Sequence, residues 1–599
     1  MSSTTYTDSF TYTGDNAYLD ALIFGGAWAS SQTKVSIKYA IRSGTDPYDI
    51  NGLDQGNAWG AYEIAALAEA MQVWENVANL DLSRTTDNSE ADIWYWKGGI
   101  DEVGALGWHE VPTESIVEPI YGVFADDGTG WSTSGLEAGG YGFVTLVHEI
   151  GHGLGLAHPH PDGHDSAAFP GVTRAVGSYG DYDLNQGIYT IMGYNDGWPV
   201  RYSDHSAQNG DVDYGYSATP MAFDIAAVQE IYGANTSYNT GNNTYVVPDE
   251  NATGTAWSTI WDAGGEDAIS AGGSDRDFRI DLREAPLTGE NAGGYVSYSG
   301  GIVGGYTIAN GAVIENAIGG GGDDTLVGND EDNQLKGGEG ADVLLGGTGD
   351  DTILGGSGKD TLNGGADDDI INASGGGADS IIGGGGDDTL SYNGAIGRVF
   401  VDLGVDQRDA GFLSFFAEGA ASGSTFAALE NVIGGGYADN LRGDENDNTL
   451  NGGGVSDRLY GRAGDDRLQG GTGADALYGG LGADVMTGGS DEGRRDRYIY
   501  FSASESEAGV GNRDVITDFV SSEDRIEITR LDADTTTNSA HDSFDFVGGT
   551  EFSGVAGELG YRFESGKTIV QADFDGDEIA DFEIQLAGEQ LLIETDFLI

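Results

Sequence analysis

The line Val147-His148-Glu149-Ile150-Gly151-His152-Gly153-Leu154-Gly155-Leu156-Ala157-His158-Pro159 holds three imidazoles and a carboxylate at the spacing H-E-x-x-H-x-x-G-x-x-H. Residues four apart on a helix share a face, so His148 and His152 project toward one point. Gly155 predicts a left-handed residue that ends the helix and turns the chain, so that His158 adds a third nitrogen. Three neutral imidazoles with a fourth position open make a catalytic rather than a structural zinc site. Glu149, beside the first ligand, reaches a water on that metal as general base and later protonates the leaving amine. A bare H-E-x-x-H arises by chance; the longer form with its glycine in place is far more specific. The chemistry such a set could do is hydrolysis of a peptide bond.

Other elements must hold that motif. Phe143, Val144, Leu146 and Val147 supply an apolar approach that seats the motif helix on a core. Ile64, Leu67, Met71, Trp74 and Ala78 recur at three- and four-residue steps and predict a helix over 61–78. Asp92-Ile93-Trp94-Tyr95-Trp96 reads as a strand, and Met221, Ile225, Val228 and Tyr232 as a helix starting at Thr219-Pro220 and closed by Gly233. Helices with interspersed strands give an α/β domain over residues 1–235. Beyond Gly233 the helical signal stops, and 236–318 reads as short strands.

A fixed period then appears. Gly337-Gly338-Glu339-Gly340-Ala341-Asp342-Val343-Leu344-Leu345 and the two units after it repeat the nonapeptide G-G-x-G-x-D-x-U-x, the repeat of a calcium-binding parallel β-helix. The first six residues of each unit are expected to turn and the last three to extend. The eighth (Leu344, Ile353, Leu362) points inward, and two units make one coil. The array runs from Gly319 to Ser391, with a one-residue insertion near Ala373, and again from Gly434 to about Thr487. Each block opens on nearly the same phrase, Ile314-Glu315-Asn316-Ala317-Ile318-Gly319-Gly320 and Leu429-Glu430-Asn431-Val432-Ile433-Gly434-Gly435. The sixth position gives the candidate calcium ligands Asp324, Asp342, Asp351, Asp360, Asp369, Asp379 and Asp388, then Asp439, Asp457, Asp466, Asp475 and Asp484. Asn333 and Asn448 replace it in two units, whose turns bind weakly or not at all. Carboxylates at this density repel, so the coil folds only with the ion.

Composition agrees. The 599 residues include 102 Gly, 99 Asp+Glu against 26 Lys+Arg, and no Cys, for a formal charge of −73. That charge argues against nucleic acid or an anionic membrane as partner. Without Cys there is no disulfide, thiolate metal site or cysteine nucleophile. No apolar run is long enough to span a bilayer, and the start has no basic or apolar signal-peptide region. His160, in His158-Pro159-His160-Pro161, and His164 are read as a polar loop; His109 as structural or surface; Asp573-Phe574-Asp575-Gly576-Asp577 with Asp581 as an acidic hairpin turn.

Downstream, Thr190-Ile191-Met192-Gly193-Tyr194 follows the last histidine by about 34 residues. With the extended motif ending in His158-Pro159, the chain resembles the metzincin metallopeptidases and, among them, the serralysin family. The resemblance implies that Met192 forms a hydrophobic floor beneath the zinc. It also implies that Tyr194 ligates zinc when the site is empty and swings away to hydrogen-bond the transition state. The usual serine of that turn is Thr190 here. Tyr18-Leu19-Asp20-Ala21-Leu22 is similar to the start of the family's catalytic domain, and Asp224 to Asn235 to its last helix. Trp261-Asp262-Ala263-Gly264-Gly265-Glu266-Asp267 is similar to its first calcium loop, implying Asp262, Gly264, Gly265 and Asp267 as ligands. The terminus Asp596-Phe597-Leu598-Ile599 is similar to an uncleaved type I secretion signal.

These readings give a multidomain chain: an α/β metzincin catalytic domain, then an all-β calcium-binding parallel β-roll and a C-terminal β-sandwich. The divisions are a zinc peptidase domain at 1–235, a β-rich connection at 236–318, β-roll blocks at 319–391 and 434–497, a strand-rich interlude at 392–433, and a C-terminal β domain with the secretion signal at 498–599. The expected function is a secreted, extracellular, calcium-stabilised zinc endopeptidase. It is expected to be a monomer exported by type I secretion machinery and acting on protein or peptide substrates. The alternative is a calcium-dependent surface or adhesion protein with a vestigial peptidase domain.

Overall fold

The computed structural model describes residues 5–7, 16–29, 34–45, 55–113, 119–161, 167–201, 213–404, 421–490, 494–537 and 542–599. His164 lies outside them. The chain divides into two compact units, Met1–Gly321 with Val327–Asn329, and Gly322–Leu326 with Asp330–Ile599.

In the first unit a five-stranded sheet is built from β1 (Val35–Ile41), β2 (Leu80–Arg84), β3 (Ile93–Gly98), β4 (Gly107–His109) and β5 (Ile120–Ala125). Its order is β2-β1-β3-β5-β4, parallel except for the antiparallel edge strand β4. Side chains alternate across β3. Trp94 and Trp96 join Ala40, Tyr121 and Val123 in one cluster, while Tyr95 stacks on Phe124 with ring centroids 6.0 Å apart.

Among the described residues, five α-helices accompany this sheet: α1 (Ala17–Leu22), α2 (Ala61–Val77), the short α3 (Ile100–Val103), α4 (Tyr141–Gly153) and α5 (Ala222–Tyr232). Helix α2 buries Ala66, Leu67, Ala70, Met71, Trp74 and Val77, the spacing of one helical face. Trp74 reaches α4, where its indole N–H donates to the Val147 carbonyl at 3.1 Å. Helix α5 starts at Ala222, two residues past the expected Pro220. The cause is Asp224, whose carboxylate accepts the Met221 N–H at 2.9 Å and so sets the first turn. Short strands follow to Ile318, with Thr244–Val246, Ala268–Ser270 and Asn316–Ile318 in parallel register.

The second unit is a parallel roll. Gln334 pairs with Thr352 and Val343 with Thr361, eighteen residues on. The step becomes nineteen at Thr361–Ser380 and Ile370–Thr389, where the inserted residue falls. Leu335, Leu344, Ile353, Leu362, Ile371 and Leu390 are fully buried between the two faces. The extended stretch is longer than the pattern implies. Strands such as Val343–Thr348 run on through Gly-Gly-x of the next unit, because Gly347 pairs with Gly365 across coils and leaves only the middle of each repeat to turn.

The two repeat blocks share one face. In this unit a single sheet runs from Gln334–Glu339 through Thr389–Ser391 and Asn431–Ile433 to Val485–Ser490. The opposite face is cut into two sheets, and the interlude crosses between them. Phe400–Asp402, earlier in sequence, pairs with Asn440–Arg442 of the second block, whereas the later Thr425–Ala427 pairs with Ser380–Ile382 of the first. The C-terminal strands add to these faces instead of building a separate sandwich. Asp514–Ile516 and Phe582–Leu586 continue one, Arg525–Glu527 and Phe597–Leu598 the other.

Candidate metal centre

Helix α4 carries His148, Glu149 and His152, all buried. Its C-terminal carbonyls are held by side chains from distant segments. Trp28 Nε1 donates to the Gly153 carbonyl at 2.8 Å, and the Tyr232 hydroxyl to that of Leu154 at 2.6 Å. Gly155 then takes φ +101° and turns the chain. A Cβ there would lie 2.3 Å from the Gly26 carbonyl oxygen, so only glycine fits.

The turn brings the third histidine over the helix. His158 Nε2 lies 3.0 Å from His152 Nε2 and 3.3 Å from His148 Nε2. His148 Nδ1–H donates to the Ile191 carbonyl at 2.6 Å and His152 Nδ1–H to that of Leu156 at 2.8 Å. A carbonyl only accepts, so both Nε2 lone pairs face the common point. With His158 Nε2 also unprotonated, three lone pairs meet at that point, and a cation between them removes their repulsion. The donor set therefore fits zinc, held by three nitrogens.

Around this point the remaining residues take distinct places. The Tyr194 hydroxyl sits 2.9 Å from His158 Nε2, and its side chain is half exposed. Met192 is fully buried, and its Sδ would lie 2.8 Å from a Cβ on Gly151, between the two helical histidines. Glu149 packs against Gly107 of β4; its Oε2 is buried without a hydrogen-bond partner, and burial pushes its carboxyl up to about 8. A cleft of about 290 Å³ opens here, with Trp108, Glu149, His152, His158 and Tyr194 among its walls.

One residue departs from its sequence reading, one takes the first of the two places expected for it, and one was missed. His160 lies in the expected loop but is buried there, because its ring stacks on His158 with centroids 4.7 Å apart. His109 is a buried framework residue: its Nδ1–H donates to the Glu110 carbonyl, Nε2 lies 3.2 Å from the Tyr95 hydroxyl, and burial lowers its pKa to about 4. Asp224 was missed as part of the site. Its carboxylate accepts the Thr190 hydroxyl at 2.6 Å and the Ile191 N–H at 2.8 Å, tying the Met192 turn to α5. Only its place at the head of a helix hinted at this.

Comparison with known proteins decides the family. Residues 222–599 match the family model Peptidase M10 serralysin C terminal. The chain belongs to the serralysin family. It is similar to serralysin of Photorhabdus luminescens, 35% identical over 46% of this chain and 54% of that protein. It is also similar to metallopeptidase AprA of Pseudomonas marginalis, 30% identical over 53% and 65%, and to serralysin C of Dickeya chrysanthemi, 33% identical over 52% and 63%. It thus spans between about half and two thirds of the length of these relatives. Among solved structures, the AlgE6R3 subunit of the Azotobacter vinelandii mannuronan C5-epimerase is 26% identical over 27% of this chain and 77% of its own, with a TM-score of 0.13.

In this serralysin-family chain the sixth-position aspartates form ladders. The Asp324 N–H donates to Asp342 Oδ1 at 2.8 Å, that of Asp351 to Asp369 Oδ1 at 2.9 Å, and that of Asp466 to Asp484 Oδ1 at 2.8 Å. Oδ2 of Asp342, Asp351, Asp369, Asp388, Asp457, Asp466 and Asp484 is buried with no protein partner. Asp360, Asp379, Asp439 and Asp475 occupy the same rows and are also buried. Buried orphaned carboxylate oxygens beside loop carbonyls fit calcium, a hard cation that takes oxygen ligands. Burial, followed by neighbouring charge, pushes Asp342 and Asp351 up to about 7 and Asp457 and Asp466 to about 8.

The rows outrun the recognisable repeats. Asp475 N–H donates to Asp496 Oδ1, Asp496 to Asp524 and Asp484 to Asp514. The glycine phrase is lost there, and only the triplet Asp-x-apolar (Asp496-Arg497-Tyr498, Asp514-Val515-Ile516, Asp524-Arg525-Ile526) could have signalled it. In the first unit, Asp262 Oδ1 accepts the Gly264 N–H, Asp267 Oδ1 accepts the Asn243 N–H, and Asp267 Oδ2 is buried without a partner. Gly264 and Gly265 take φ of +134° and +153°. Asp573, Asp575 and Asp581 meet at the loop of a hairpin, where Asp573 accepts the N–H groups of Gly576 and Glu578. Asp596 is buried and accepts the Ser522 and Ile593 N–H groups, and Phe597 pairs with Ile526.

Proposed function

We propose that this chain is a zinc endopeptidase, with a metzincin-type catalytic domain carried on a calcium-stabilised roll. The observation that carries the reading is the convergence of His148, His152 and His158 Nε2 beside the buried Glu149, on the wall of an open cleft. His148, His152 and His158 would hold the zinc, with Tyr194 as a further ligand when no substrate is bound. Bound there, zinc supplies Lewis acidity toward the scissile carbonyl and the attacking water.

The chain's own groups do the rest. Glu149 takes the proton of the attacking water and returns it to the leaving amine. Its buried, partnerless oxygen is placed to take that proton, and burial favours the protonated form that later gives it up. Tyr194, half exposed at the mouth, can turn and donate its hydroxyl to the oxyanion. Ile191 and Leu156 carbonyls fix the two helical imidazoles, and Met192 fills the space beneath them. The apolar walls Phe24, Val111 and Leu156 help exclude water from the cleft.

Calcium would bind at the Asp262–Asp267 loop and along the aspartate rows. The substrates are protein or peptide chains, and the enzyme acts outside the cell as a monomer after type I export. No helix among the described residues is long and apolar enough to cross a membrane.

Zinc removal by a strong chelator at saturating calcium tests the reading. Casein hydrolysis should disappear and return with one equivalent of zinc per chain, while calcium alone restores nothing. Zinc-free protein that still cleaves casein would contradict it.

A further inference from the structure

The second repeat block begins where the row changes character. Asp388 donates its N–H to Glu430 Oε2 at 2.9 Å, so Glu430, from the duplicated opening phrase, holds the place of an aspartate. The next residue in that row is Asn448. Its Oδ1 stands 2.1 Å from a Cβ built on Gly443, as Asp466 Oδ2 stands 2.2 Å from one built on Gly461. Asn448 therefore offers its oxygen at the spot where the aspartates offer their orphaned one.

Here, however, the oxygens are already taken. The Asp444 N–H donates to Asn448 Oδ1 at 2.7 Å, and Asn448 Nδ2 donates to the Glu430 carbonyl at 2.9 Å. Asp439, in the opposite row, has both oxygens used: Oδ1 by the Val399 N–H and Oδ2 by the Gly435 N–H, each at 2.7 Å. The first block's row on that face ends at Ser424, whose Oγ accepts the Asp379 N–H. One coil further on, Asp457 and Asp466 return to a buried Oδ2 with no partner. The change coincides with the crossing of Phe400–Asp402 and Thr425–Ala427 between the two split sheets.

We propose that the calcium array is two separate runs joined by a hydrogen-bonded segment, Ser424 to Asn448, that takes no calcium. The joint uses main-chain N–H groups and one side-chain amide where the runs use a cation, and it carries the shared face from one block to the next. Asp439, expected among the ligands from its repeat position, belongs to the joint. The inference rests on reading the partnerless aspartates as calcium ligands.

Calcium titration of the full chain against a chromophoric chelator tests it, using Asp439→Asn, Asn448→Ala, Asp457→Asn and Asp466→Asn, each checked for folding at saturating calcium. Asp439→Asn and Asn448→Ala should bind as many ions as the parent, and Asp457→Asn and Asp466→Asn at least one fewer each. Loss of an ion in folded Asp439→Asn or Asn448→Ala would overturn the joint. An unchanged count in both Asp457→Asn and Asp466→Asn would instead overturn the calcium reading beneath it.

Discussion

Asp224 holds Thr190, its oxygen 2.6 Å from a hydroxyl that lies 34 residues earlier in the chain. The same carboxylate accepts the Ile191 and Met221 N–H groups. One side chain thus joins the head of α5 to the turn whose Ile191 carbonyl orients His148 and whose buried Met192 packs against Gly151 of the motif helix.

Asp224→Asn leaves a single acceptor for three donors and puts an amide N–H₂ against some of them. Losing buried hydrogen bonds to a charged group should cost about 2–4 kcal/mol. Loosening the carbonyl behind His148 should weaken zinc binding by about 10- to 100-fold. Thermal unfolding and zinc competition measure the two effects; wild-type zinc affinity would contradict the assigned role.

Gly155→Ala places a Cβ against the Gly26 carbonyl in a left-handed residue. The strain should cost about 2 kcal/mol or more, and His158 should be displaced. Zinc content of the purified variant is the measurement. A full equivalent of zinc with parental stability would show that the turn is not needed to deliver the third ligand.

Without calcium, the roll's stability should fall as pH rises. Asp457 and Asp466 have folded pKa values of about 8 and Asp351 of about 7, above the unfolded value of 3.8. The folded state therefore favours the protonated form. Its stability is fully present below about pH 4 and is lost as pH rises through 7 to 8. Circular dichroism of calcium-stripped protein should show more β structure at pH 5 than at pH 8. Calcium binding should release protons and tighten across the same window. A calcium-stripped roll equally folded at both pH values would contradict this.

The helical period and one glycine make the three histidines legible as a cluster, because residues four apart on a helix share a face. Repetition does the same for the aspartate rows and for inward residues such as Leu344 and Ile353. The unread parts depend on partners far away in the chain. Nothing local to Asp224 says that it will meet Thr190, and nothing near Phe400 says that its strand will pair forward while Thr425–Ala427 pairs back. Asp514 and Asp524 escaped because the rows continue after the glycines stop. His160 was read by its polarity, yet its ring lies flat on His158, which removes it from water.

Glu149→Gln keeps the size and burial of the side chain but removes the base. Zinc content and casein hydrolysis should be measured on the same preparation at saturating calcium. One zinc per chain should remain, with the turnover rate lowered by about 10²- to 10⁴-fold. Parental turnover with zinc in place would contradict the role of Glu149 as general base.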